Sequence, residues 1–452
     1  MGWRICWPWN AAADAWQGPP DAARGVLPGA LIQVIAALVA RGQTSAMDNT
    51  THSQSFSLPA VLTAAPHRML FLAGALNVLA AMVWWTWWLF HSVPMPVDQV
   101  TGGWLHGFIL QYQMLPSFMF GFLITVFPRW MGQAEPTRRH YVPVGLGMLL
   151  GQILCLVAAF SGSSHALHLG VVATILGWGY GLVVLGRMLV ANRFKTWHAV
   201  SCYSALLLGF VALWGFAVYL HTFNWQIGQA AIRLGAFGLL LPIYATVAHR
   251  MFPFFAGNVV PGYRAWRPMW LLAAQWPLWL GHALLEIFSL PQWLWLADAP
   301  LLALALLCLW KWWPRGRAPG ILRVLFLGYA WLPVALALYL AQSLWLQFDG
   351  ALILGKAPLH ALTIGVFGSL LVAMVTRVSQ GHSGRPLVLV PVALFAFACI
   401  QIVALARVLA ELTATPWTGF RVAAIGWLVA FLPWALRYGW IYLRPRADGR
   451  PG

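Results

Sequence analysis

Read for alternation of apolar and polar positions, the chain resolves into long apolar stretches of about 20 residues divided by short gaps rich in Pro, Gly and charge. Each stretch is long enough to cross a hydrocarbon core about 30 Å thick. They predict twelve helices, near 69–90, 104–127, 141–160, 166–190, 198–221, 230–248, 268–290, 293–313, 322–346, 351–376, 386–410 and 416–440. The pattern is that of an all-α, polytopic transmembrane bundle occupying residues 61–445. No internal repeat stands out.

Residues 1–60 fit this plan poorly. Trp3, Trp7, Trp9 and Trp16 lie in a Gly/Pro/Ala-rich stretch, and the apolar run 26–40 is too short to span comfortably. Met47 opens a polar segment leading to the first span, so residues 1–46 read equally as a true extension or, with Met47 as the start, as sequence outside the protein.

Composition supports the membrane reading: of 452 residues 61% are hydrophobic and only 8% charged, whereas about a quarter of residues are charged in soluble domains. The net charge of +17 from 27 Lys+Arg against 10 Asp+Glu first suggests nucleic acid, but its distribution argues otherwise. Gaps after even-numbered spans carry Arg129, Arg138 and Arg139; Arg187, Arg193 and Lys195; Arg250, Arg264 and Arg267; Lys311, Arg315, Arg317 and Arg323; Arg377 and Arg385. Only Arg233, Lys356, Arg407 and Arg421 fall on the other side, with Asp98, Glu286, Asp298, Asp349 and Glu411. The positive-inside rule then makes both termini cytoplasmic, and the cations meet anionic headgroups of the lipid bilayer, not nucleic acid.

With so few acids, the thirteen histidines are the main polar chemistry inside the bundle. Ionisable groups within spans are functional suspects. His106, His221, His282 and His360 occupy different helices toward the outer half and could converge on one metal or haem, for which imidazole is a common ligand. His91, His140, His165, His198 and His52 read as interfacial polar residues, and His165 and His168 share a helix face if span four begins early. Glu286 follows His282 by one turn and could orient its ring, relay protons, or be a solvated helix-end acid. Arg377, His382 and Arg385 amid Gly381 and Gly384 form a compact turn suited to a propionate, phosphate or lipid headgroup through forked donors, or simply a positive-inside loop. Trp runs such as 84–88 sit at expected membrane boundaries. The five cysteines show no CxxCH spacing, which excludes covalent c-type haem attachment.

Several stretches together resemble the NnrS family of haem- and copper-containing inner-membrane proteins linked to the bacterial nitric oxide response. Pro66-His67-Arg68-Met69-Leu70-Phe71 is similar to the family's opening of its first helix. His106-Gly107-Phe108 leading to Gly121-Phe122-Leu123-Ile124-Thr125-Val126-Phe127-Pro128-Arg129-Trp130 is similar to its histidine-led second helix. His360-Ala361-Leu362-Thr363-Ile364-Gly365, then Thr376-Arg377, then Gly381-His382-Ser383-Gly384-Arg385-Pro386-Leu387 is the most specific block. In this chain Phe108 and Ile109 replace the second His and the Glu of the family's His-x-His-Glu cluster, and His249 stands where the family has glycine.

The resemblance implies a multi-pass protein of the bacterial inner membrane that binds non-covalent b-type haem, with copper as a possible second metal. It implies reduction of nitric oxide or relief of nitric oxide stress, as a nitric oxide reductase-like oxidoreductase fed by a membrane electron donor, quinol or cytochrome. The expected metal ligands are His106, His221, His249, His282 and His360. Arg377, His382 and Arg385 assist the cofactor, and Glu286 moves protons. A non-catalytic haem or metal carrier, or a redox sensor, is the alternative.

Overall fold

The computed structural model describes residues 57–91 and 100–450. Met47, His52 and Asp98 lie outside the described residues, as does nearly all of the expected N-terminal extension. Among the described residues all regular structure is helical. Eleven helices are long and apolar enough to cross a membrane: α1 (Pro66–His91), α2 (Gly102–Met131), α3 (Arg138–Ser161), α4 (Ser164–Ala191), α5 (Trp197–Thr222), α6 (Trp225–Val259), α8 (Trp295–Trp312), α9 (Gly320–Asp349), α10 (Ala357–His382), α11 (Pro391–Ala410) and α12 (Pro416–Tyr442). The remaining predicted stretch forms the 19-residue helix α7, Met269–Ile287. Its Trp270, Gln275, Trp276, Trp279, His282 and Glu286 lower its hydropathy below that of the others.

The helices begin and end where local chemistry dictates. Thr101 and Ser163 cap α2 and α4 by accepting from the backbone N–H of Trp104 and Ala166. Thr137 and His140 form a reciprocal capping box at the start of α3, which gives His140 a structural task. Gly132, Gly162 and Gly350 close α2, α3 and α9 in the left-handed region. Helices α3 and α4 pack with Gly147 against Gly177, where a Cβ on Gly147 would lie 2.6 Å from the Gly177 Cα. Such small-residue contacts let backbones approach where lipid removes the usual hydrophobic drive between helices. Large apolar side chains left exposed, including Leu176, Val211 and Ile402, suit contact with acyl chains.

Three helices form the interior. Buried shares of 89% for α2 and 72% for both α6 and α10 exceed those of the other spans. Each contains a π-helical segment: Ile109–Met114, Gly235–Leu240 and Ala361–Gly368. Ile109, Gly235 and Ala361 stand at equal steps of 126 residues, so the π segments recur once in every four helices along the chain. Pro116 and Pro242 follow two of the segments at the same register, and the wider π turn accommodates a ring that would strike the i−4 carbonyl of an α-helix. The α2 and α6 segments pack on each other, with the Tyr112 hydroxyl donating to the Ala231 carbonyl.

Candidate functional site

All three π segments lie toward the end of the bundle that holds Glu286, Asp298 and Glu411, here the acidic end; the Lys/Arg-rich connections define the basic end. At the acidic end α2 contributes His106, whose ring stacks on Trp85 of α1 with centroids 4.2 Å apart. His106 Nδ1 is buried without a hydrogen-bond partner among the described residues. His360, near the start of α10, donates from Nδ1 to the Lys356 carbonyl at 3.0 Å. A carbonyl can only accept, so this bond fixes the tautomer and leaves Nε2 with its lone pair. The two imidazoles and Lys356 and Arg407 lie close enough to interact electrostatically. Arg407 pairs with Glu411 at 2.8 Å and lies 3.8 Å from the centre of the Phe420 ring.

A second buried group adjoins it. His282 and Asp298 are both fully buried, and His282 Nδ1–H donates to Asp298 Oδ1 at 2.7 Å. The ring is clamped between Phe237, stacked at 3.5 Å, and the edge of Tyr339 at 4.8 Å. Glu286 Oε1 accepts from Arg233 at 2.9 Å. Its Oε2 faces His282 Nε2 at 3.9 Å, too far for a hydrogen bond. His282 Nε2, Glu286 Oε2, Asp298 Oδ2 and the Tyr339 hydroxyl have no hydrogen-bond partner among the described residues. This pocket of acceptors beside an oriented imidazole can hold a proton or a polarised water.

The five histidines expected as ligands are placed apart. His106 and His360 interact. His221 instead meets His168 at the acidic end, with centroids 4.9 Å apart. His249 lies at the basic end, where Arg250 donates to His198 Nδ1 at 3.5 Å, His198 Nε2 to His249 Nδ1 at 2.9 Å, and His249 Nε2 to the Pro268 carbonyl at 3.2 Å. Both nitrogens of His249 are thereby engaged, and the ring has no lone pair to offer. His282 is held by Asp298, so Glu286 is not the residue that orients it. Among the described residues no group of three or more His, Cys, Asp or Glu assembles in a metal-ligating arrangement. The paired donors His106 and His360, with cations beside them for carboxylates, fit a haem.

The expected anion-binding turn at the basic end is also built differently. Arg377 lies 4.0 Å from the centre of the Phe255 ring. His382 pairs with His67 of α1, centroids 4.7 Å apart. Gly384 takes φ +69 and lies against Asp448, while Arg446 donates to the His382 carbonyl at 3.0 Å, so the C-terminal tail covers the turn.

Sequence reasoning missed Asp298, Arg233, Lys356, Arg407 and Tyr339 as members of the site. The signal was present for three of them: Arg233, Lys356 and Arg407 are cations on the side where the charge rule leaves almost none, and all three converge here.

A many-helix membrane protein whose buried imidazoles and exceptional cations gather at one end of three π-bulged inner helices belongs to the class of membrane proteins with chemistry inside the bundle. The sequence model of the family described as NnrS protein matches residues 61–446. The chain belongs to the NnrS family, and a multi-pass membrane protein fits that family's link to the nitric oxide response. No curated protein and no solved structure matches it.

Proposed function

We propose that the protein binds haem at the acidic end and handles nitric oxide there, in a bacterial inner membrane with both termini cytoplasmic. His106 and His360 would hold the iron, and Lys356 and Arg407 would meet the haem carboxylates. Bound haem supplies reversible nitric oxide binding and one-electron redox chemistry. The chain's own residues do the rest. The Lys356 carbonyl holds the His360 tautomer that presents Nε2, Trp85 fixes the plane of His106, and the stacked aromatics exclude water. Asp298 keeps the proton on His282 Nδ1, and Arg233 keeps one oxygen of Glu286 occupied, so proton traffic falls to His282 Nε2 and Glu286 Oε2.

The observation that carries this reading is the convergence of His106, His360, Lys356 and Arg407, from α2, the start of α10 and α11, at the acidic end, near enough to one another to interact electrostatically. Optical spectra of the purified protein test it: His106→Ala and His360→Ala should each abolish or shift the haem bands, and an unchanged signal in both refutes the site. A carrier or redox sensor is the second reading, favoured by the lack of a three-ligand group among the described residues. Nitric oxide consumption by haem-loaded protein supplied with a quinol or cytochrome donor selects the oxidoreductase; binding without consumption selects the carrier.

A further inference from the structure

On the basic-end side of the π segments, α1 and the inner helices α2, α6 and α10 line a partly open apolar pocket of about 70 Å³. Its wall includes Phe71, Phe118, Met119, Phe252 and Met374. Tyr244 is the one lining residue with a polar side-chain group, and its hydroxyl donates to the Phe367 carbonyl at 3.4 Å. Buried water needs two to four polar partners, and this wall offers only the Tyr244 hydroxyl, already engaged with a carbonyl, so it favours an apolar occupant. Size decides among apolar occupants. An engineered cavity of roughly 150 Å³ takes benzene; a space of about 70 Å³ is less than half of that and suits a diatomic molecule or a xenon atom, not an aromatic ring.

Position argues against a packing defect. Native interiors pack closely, whereas this space lies between the three inner helices that carry the π segments. Leu115, in its wall, directly follows the π segment of α2, and that segment begins three residues after His106. Tyr244 stacks at 4.6 Å on Phe367, within the π segment of α10. The cavity thus abuts the same layer that carries His106 and His360 on its other side.

We propose that this cavity is a docking station for a neutral diatomic gas, nitric oxide in the function proposed above, between the bilayer and the His106–His360 site. The inference rests on that function for the identity of the gas and on geometry for the cavity. A neutral, lipid-soluble molecule needs no polar path, which matches a wall without one.

The test uses full-length protein in detergent, wild type with Ala248→Phe and Val375→Phe, two independent fillings of the wall. Hyperpolarised ¹²⁹Xe exchange should show a saturable bound resonance in the wild type that both variants lose. In haem-loaded samples both should slow nitric oxide association by roughly tenfold or more, a range typical of on-rate variation. Matching thermal midpoints and elution would show that the variants fold. Absence of a saturable xenon signal in the wild type overturns the cavity. Xenon lost with nitric oxide association unchanged overturns the station, and slowing of oxygen but not nitric oxide association overturns the assigned gas. A protein that takes up no haem sinks the proposed function instead, while the xenon result still decides the cavity.

Discussion

Replacing Asp298 probes the link on which the acidic-end site depends. Asp298 and His282 side chains are both fully buried, with Nδ1 and Oδ1 2.7 Å apart. A hydrogen bond to a charged group contributes about 1.5–3 kcal/mol net, and removing one partner leaves the other buried and unsatisfied at a cost of about 1–3 kcal/mol or more. Asp298→Ala should therefore destabilise by about 2–3 kcal/mol. Asp298→Asn, whose amide oxygen still accepts from His282 N–H, should cost about 1–2 kcal/mol, since only the charge is lost. In a double-mutant cycle with His282→Ala, the second loss should be much smaller than the first, giving a coupling of about 1.5–3 kcal/mol. Unfolding of the detergent-solubilised protein would measure this. Additive losses would show that the two side chains do not act as a pair, and the tautomer assigned to His282 would fall with it. The Asn variant should keep its haem bands, because His106 and His360 are untouched.

Two further consequences concern the basic end. His249→Gly, the residue expected from the family pattern, leaves His198 Nε2–H buried without an acceptor and should cost about 1–3 kcal/mol with metal and haem content unchanged; loss of metal at undiminished stability would make His249 a ligand after all. Arg446 holds the Asp448 carboxyl well below the usual range, so the carboxylate stays charged and its contribution, present above the ordinary carboxylate pKa, is lost only in stronger acid. Protection of the tail from trypsin should be constant from about pH 8 to pH 6 and disappear in Asp448→Asn; equal cleavage of both proteins refutes the docking of the tail on the Gly381–Arg385 turn.

Much of this molecule is written in one dimension. A span declares itself by about 20 consecutive apolar residues, and each of the twelve predicted stretches became a helix, including Met269–Ile287, whose Trp, Gln and His content makes it the least hydropathic. His106, His360, His282 and Glu286 stood out because ionisable groups inside apolar runs are costly without partners. The partners themselves were not legible. His282 and Glu286 are four residues apart on one helix and invite pairing, yet the hydrogen bond goes to Asp298 on the next helix. Likewise His221, His249 and His382 found other histidines on neighbouring helices, an outcome set by rotation and register of whole spans.

The π segments make the same point from another direction. They recur at equal steps while the residues within them differ, ILQYQM, GAFGLL and ALTIGVFG, because the bulge follows from backbone geometry and many side chains serve it. The sequence by itself determined the positions of the long helices, the charge asymmetry between their ends and where ionisable residues fall inside apolar runs, all properties of hydropathy and of local spacing. Only the tertiary structure decided which imidazole meets which carboxylate or cation and where the inner helices leave an apolar pocket, because those depend on contacts between residues up to hundreds of positions apart.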